Sequence, residues 1–134
     1  MKNLIYLLLL LFAVSACEDP ELKASIERGA SVYTEFCVRC HMSEGIDTSN
    51  RYPPLAGSNW LTEKRKETIH ATKYGLRGDI EVNGVAYRDI MVPQGLSDED
   101  VADVLNYIMN SWGNKQEMKV TPEEVKTIPK KMPR

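Results

Sequence analysis

Cys37-Val38-Arg39-Cys40-His41 sets two thiols three residues apart, with an imidazole directly after the second. On one helical turn the two sulfurs face the same way, so each can add to a vinyl group of a haem. His41 then lies beneath the porphyrin and offers a ring nitrogen to the iron as proximal ligand. Zinc sites and thiol redox pairs use similar cysteine spacings. Structural zinc needs four ligands, and the chain has no second cysteine pair. A redox Cys-x-x-Cys is expected in a βαβ setting, which the sequence lacks. The spacing therefore points to one covalent haem c, held by Cys37 and Cys40 with His41 on iron.

A six-coordinate haem needs a ligand on its other face. Beyond Met1, methionines stand at 42, 91, 109, 118 and 132, and the second histidine is His70. Met42 follows His41 directly and cannot reach across the ring. Met109 falls in a helical pattern, and Met118 and Met132 lie in a tail, where methionine more often fills irregular gaps. Met91 sits in the loop Asp89-Ile90-Met91-Val92-Pro93-Gln94-Gly95, where Pro93 and Gly95 allow a fixed, irregular path across a flat cofactor. Met91 is the expected distal ligand. His70, within Thr68-Ile69-His70-Ala71, competes, but a lone histidine on a helix is more often a surface or hydrogen-bonded residue. A thioether ligand favours ferrous iron and raises the reduction potential.

The elements that must position these groups read as a helix, a long irregular middle, a second helix and a tail. The first helix is expected from about Pro20 to the haem cysteines, with Pro20 in its first turn and Glu21 at the positive dipole end. Ile26, Ala30, Tyr33 and Cys37 form its apolar stripe. The middle, about 43–96, is rich in Gly, Pro, Asn and Asp, as a segment wrapping a large apolar cofactor would be. Within it, 61–74 carries helix formers and is expected to be one helix. Residues 81–87 read as a hairpin turning at Asn83-Gly84. Ser97 and Asp100 form a capping box for the last helix, whose apolar face is Val101, Val104, Leu105, Ile108 and Trp112. Gly113 is expected to end it in the left-handed region. Thr121-Pro122-Glu123-Glu124 signals one more short helix, cut off by Pro129 and Pro133.

The chain has 134 residues, enough for one domain. Lys2 followed by the apolar run 4–14 reads as a targeting segment, too short to span a bilayer comfortably. Val14-Ser15-Ala16-Cys17 resembles a lipobox, so cleavage is expected after residue 16 and acylation at Cys17. Losing Lys2 takes the formal net charge from −2 to −3, and no basic face points to nucleic acid. All 3 cysteines are then assigned, one to lipid and two to haem, with none left for a disulfide. The expected organisation is a signal peptide over 1–16, an acylated cysteine and acidic tether over 17–20, a domain over 21–113 and a tail over 114–134. Both modifications place the protein outside the cytoplasm, anchored to a membrane.

Over 20–113 the chain resembles the class I monohaem cytochromes c. Gly29 and Tyr33 stand eight and four residues before Cys37, where that family uses a glycine and an aromatic to bring its first helix against its last. Val104 and Tyr107 match the partners on the last helix. Pro53-Pro54-Leu55 matches the family's Pro-x-Leu, which implies that the Pro53 carbonyl accepts a hydrogen bond from His41 and raises its basicity. The resemblance implies an all-α fold with the N- and C-terminal helices packed together around the haem. Over 53–113, Pro53-Pro54-Leu55-Ala56-Gly57-Ser58, Gly75-Leu76-Arg77-Gly78-Asp79-Ile80, Val82-Asn83-Gly84 and Leu96-Ser97-Asp98-Glu99 resemble a subgroup of small lipoprotein or periplasmic carriers. That subgroup also supplies cytochrome domains attached to copper nitrite reductases, sugar and alcohol dehydrogenases, and oxidases. Its members usually have proline directly after the ligand methionine, whereas Val92 intervenes here.

A covalently held haem with two strong axial ligands reorganises little on changing oxidation state and has no vacant site for substrate. The expected function is therefore single-electron transfer between redox proteins, a donor dehydrogenase or complex and a terminal oxidase or reductase, with no enzymatic step. Trp60, Arg77 and Tyr87 are candidates to hydrogen-bond the haem propionates. Two other readings need an open iron: a haem peroxidase using His70 as distal acid or base, and a gas-binding sensor in which Met91 is displaced.

Overall fold

Asp19 begins the first helix by accepting a hydrogen bond from the Glu21 backbone N–H at 3.0 Å, and Pro20 takes the first helical position. The computed structural model describes residues 19–116 and 118–131. Helix α1 is Pro20–Val32, continued without a break by a π turn, Tyr33–Cys37, and by α2, Val38–His41. The buried stripe of α1 differs from the expected one. Ser25 and Gly29 are its buried positions, while Ile26 and Ala30 are only half-buried. The reason is the closeness of helix α5, Asp98–Ile108. A Cβ on Gly29 would lie 2.0 Å from the Asp103 carbonyl oxygen and 2.9 Å from Tyr107 Cβ. Only small residues allow such an approach.

Polar groups beside that crossing are paired. Asp103, 3% exposed, accepts from the Ser25 hydroxyl at 2.6 Å and from Arg28 Nε and Nη2 at 2.6 and 2.8 Å. Asn106 donates to Ser25 Oγ and the Val120 carbonyl, and its Oδ1 accepts from Gln116 Nε2 and the Val120 N–H. Tyr33, Tyr107 and Trp112 gather at the far end of α1, with ring centroids 5.2–5.7 Å apart.

The middle holds two helices where the sequence suggested one. Helix α3, Asn59–Glu63, is capped by the Ser58 side chain, and α4 is Arg65–Tyr74. Lys64 breaks them with φ −129° and ψ 50°, although no Gly or Pro marks the break. The Trp60 carbonyl serves both sides of the corner, accepting from the Lys64 N–H at 3.0 Å and the Thr68 hydroxyl at 2.9 Å. The expected hairpin is present, β1 (Ile80–Val82) against β2 (Val85–Tyr87), antiparallel, with Ile80 opposite Tyr87. Asn83 and Gly84 both take positive φ, 51° and 78°, as a tight two-residue turn needs.

The capping box on α5 is complete: Ser97 Oγ accepts from the Asp100 N–H, and the Asp100 carboxylate accepts from the Ser97 N–H. This helix ends at Ile108 with Met109 as its cap, several residues before Gly113. Side chains replace the expected glycine cap. Asn110, Ser111 and Asn114 donate to the carbonyls of Asn106, Tyr107 and Ile108. Gly113 does take a positive φ, 84°, but in the turn beyond the helix. The last helix, α6, is Pro122–Thr127, with Thr121 as N-cap. Val120, Val125 and Ile128 are buried in the same apolar cluster as Ile69, Val101, Val104, Leu105 and Ile108. The fold is thus all-α with one small hairpin.

Candidate functional site

The π turn widens the helix before Cys37, and α2 carries Cys37 to His41 to the edge of an apolar cleft. His41 Nδ1 lies 3.2 Å from the Pro53 carbonyl oxygen. That oxygen can only accept, so Nδ1 bears the proton and the Nε2 lone pair is left free. Burial lowers the His41 pKa, against the smaller opposing pull of the Pro53 bond. The ring is therefore neutral at pH 7, as a metal ligand must be. Burial, then the neighbouring Cys40, pushes the Cys37 thiol up to about 11.

Pro53 is held by the turn that precedes it. One Asp47 carboxylate oxygen accepts from the Ser49 N–H, and the other from the N–H groups of Arg51 and Tyr52 at 3.0 and 3.1 Å. The Ser49 hydroxyl bond is the chief reason, ahead of these backbone bonds, that the Asp47 pKa falls from 3.8 to about 2. The Gly45 carbonyl accepts from Leu55 and Ala56, fixing the far side of Pro53-Pro54.

Two adjoining hollows make up the cleft, and Cys37, His41, Pro53, Leu76, Ile80 and Met91 line both. Cys40 and Tyr87 border the outer hollow, Trp60 and Leu105 the inner one. Met91 is held through its main chain. Its N–H donates to the Leu76 carbonyl at 3.0 Å, and its carbonyl accepts from the Leu76 N–H at 2.8 Å. Gly75 permits this: with φ 79°, a Cβ there would lie 2.4 Å from the Met91 oxygen. Val92 is exposed, and Pro93 packs over Gly75 instead of following Met91 directly.

Of the residues singled out in the sequence, Cys37, Cys40, His41, Pro53, Met91, Trp60 and Tyr87 meet at the cleft. Arg77 is exposed and outside its lining. The Trp60 indole N–H donates to the Glu81 carbonyl at 2.7 Å, so a propionate could use it only by displacing that bond. His70 is also elsewhere: its Nε2 lies 3.0 Å from the Lys130 carbonyl, in the tail. Cys17 lies outside the described residues. The sequence patterns assign no role to Asp47 or to the Gly75-Leu76 pair. Asp47-Thr48-Ser49 is an Asx-turn pattern that could have revealed the first. Nothing local announces the second, because its partner is fifteen residues away.

Two thiols, a neutral imidazole and a thioether around an apolar slot fit a haem. Among the described residues no three His, Cys, Asp or Glu side chains gather as a bare ion would require. Residues 26–112 match the family model of cytochrome c. The chain belongs to the cytochrome c family. It is similar to cytochrome c-552 of Thermus thermophilus, 38% identical over 109 residues that cover 75% of this chain and 82% of that protein. It is also similar to the cytochrome c subunit of alcohol dehydrogenase (quinone) from Gluconacetobacter polyoxogenes, 33% identical over 101 residues, covering 72% of this chain and 21% of that subunit. The gluconate 2-dehydrogenase cytochrome c subunit of Pantoea cypripedii is 34% identical over 113 residues, covering 78% of this chain and 24% of the subunit. As a cytochrome c, the protein carries covalently bound haem c and serves as an electron carrier.

Proposed function

We propose that this cytochrome c is a lipid-anchored, extracytoplasmic shuttle for single electrons whose haem iron is bound by His41 and Met91. The carrying observation is that His41 and Met91 line both hollows of one cleft, each fixed by a bond to a distant carbonyl or N–H. The haem supplies a one-electron couple at iron. Cys37 and Cys40 hold it by two thioether bonds, and Pro53 fixes the His41 tautomer and strengthens it as a ligand. Leu76 holds the Met91 backbone so that a soft sulfur can close the distal face. Apolar walls exclude water, which limits reorganisation. Tyr87 is the propionate donor best placed of the three, since it lines the cleft while Arg77 does not.

The anchor is assigned to Cys17, with a signal peptide over 1–16, a tether over 17–20, the cytochrome domain over 21–113 and a tail over 114–134. Among the described residues no helix is long and apolar enough to cross a membrane. Partners are a redox donor and acceptor. The likeness to dehydrogenase cytochrome subunits supports a dehydrogenase as one of them. No enzymatic step is assigned, and His70, bound in the tail, gives no support to a peroxidase.

The test is the absorption spectrum of the ferric protein with and without Met91→Ala, and carbon monoxide binding to the ferrous forms. A weak near-red sulfur-to-iron band that disappears in the variant, with gas binding only after Met91 is removed, is the expected result. A wild type lacking the band and binding gas freely would overturn His41/Met91 ligation. For the anchor, Cys17→Ser is expected to move the protein from the membrane to the soluble fraction, and retention on the membrane would remove that assignment.

A further inference from the structure

The loop carrying Met91 is pinned at both ends to one short stretch of chain. At its start, Met91 makes the paired main-chain bonds with Leu76. At its end, Asp98, the first residue of α5, forms an ion pair with Lys73, Nζ to Oδ1 2.6 Å. Lys73 and Leu76 are the end of α4 and the residue just past its glycine cap. Between the two pins Pro93 packs over Gly75 and Leu96 against the core, but Val92 is 55% exposed, and the one side-chain bond within the loop runs from Gln94 Nε2 to the Val92 carbonyl.

The Lys73 side chain is only 14% exposed, too buried for a solvated surface charge. It also donates to the Val125 carbonyl at the end of α6 at 3.0 Å, and lies 5.2 Å from the Tyr74 ring centroid. Its ammonium is therefore held in place before it meets Asp98. Helix α5 is locked into the core by Val101, Val104 and Leu105, each at most 1% exposed. For Met91 to leave the cleft, the loop must pivot at Asp98 and pull away from Leu76. A fixed cation joining that pivot to the end of α4, just before the residue on which Met91 is pinned, opposes this motion.

We propose that Lys73 is a positioning residue for the distal ligand: with Asp98 it staples the Met91 loop to the end of α4 and keeps the thioether on the iron. The proposal rests on Met91 being the ligand. Lys73→Met keeps the apolar stem and removes the charge, and Asp98→Asn removes the partner. Lys119→Met is the control. It deletes ion pairs of the same kind, from Lys119 to Asp19 and Glu21 at the start of α1, away from the loop.

Two readouts report on the loop: amide hydrogen exchange at Met91 and Leu76, and the rate of carbon monoxide binding to the ferrous protein, which requires Met91 to let go. Both are expected to rise about fivefold in Lys73→Met and in Asp98→Asn, the size of one well-placed ion pair, and no further in the double variant. Lys119→Met is expected to leave both within about twofold of wild type, because ion pairs at the start of α1 do not hold the loop. A wild type that binds carbon monoxide freely would remove Met91 as ligand and the staple with it. A closed wild type whose Lys73 and Asp98 variants behave like Lys119→Met would overturn the staple alone and leave the ligation intact.

Discussion

Where α1 crosses α5, position is set by side chains; around the cleft, it is set by main-chain bonds. At the crossing, helix backbones meet through Gly29, and buried polar groups such as Asp103 and Asn106 find several partners each. Around the cleft the chain is mostly irregular, and what holds it is a few bonds to the main chain: Leu76 with Met91, Leu55 and Ala56 on Gly45, and the Asp47 carboxylate on the N–H groups of Ser49, Arg51 and Tyr52. Interdigitating side chains can fix only surfaces that face other protein. Walls that face a cofactor must be anchored from behind, through their backbones.

That difference gives ordered expectations. Gly29→Val should cost the most, about 3 kcal/mol or more in denaturant unfolding, because the added carbons meet the α5 backbone, which cannot yield. Gly75→Ala should cost about 2 kcal/mol, from the positive φ and the Met91 oxygen in its way. It should also speed amide exchange at Met91 and Leu76, which Gly29→Val should not do beyond its global effect. If Gly75→Ala were the more damaging of the two, the cleft walls would be packed as tightly as the crossing. Asp103→Ala should cost about 1–2 kcal/mol in the same unfolding assay, since Ser25 stays buried without its acceptor while the exposed Arg28 returns to water.

The smallest effect is a pH dependence on the cleft side. Asp47 is held at about 2 instead of 3.8, so its turn stabilises the fold fully above that ordinary value and loses its contribution as pH falls towards 2. Asp47→Asn should flatten the acid limb of the stability profile in that window and leave neutral to alkaline pH unchanged. An unchanged acid limb would mean that the Asp47 turn does not hold the Pro53 side of the cleft.

Legibility in the sequence followed the range of the interactions. The Ser97 capping box, the Asn83-Gly84 turn and the Thr121-Pro122 helix start are complete within four residues, and each appears as the sequence implies. The Cys37–His41 motif is equally local. Three features were not readable. The break at Lys64 sits among good helix formers and arises because the chain must turn at the cleft, with Trp60 serving both sides. The end of α5 falls at Ile108 because Asn110, Ser111 and Asn114 cap it, a signal weaker on paper than Gly113. No pattern singled out the tail's Val120, Val125 and Ile128, yet they complete the core against α4 and α5. In the site, the ligand types were legible; Leu76 was not, since it acts through backbone bonds that composition does not record, whereas the Asp47 carboxylate works within a local Asx turn.

The π turn at Tyr33–Cys37 carries a last consequence. One extra residue in a helical rod delays everything after it by about 100° of rotation. Gly29 and Cys37 are eight positions apart, and in an unbroken α-helix they would lie within about 80° of one another. The extra residue cancels that offset, so that Cys37 comes to within about 20° of the bearing of Gly29 and projects from nearly the face of the rod that meets α5. The segment is a phase shifter, and the bearing of both thiols and of His41 depends on the count of residues within it more than on their identity.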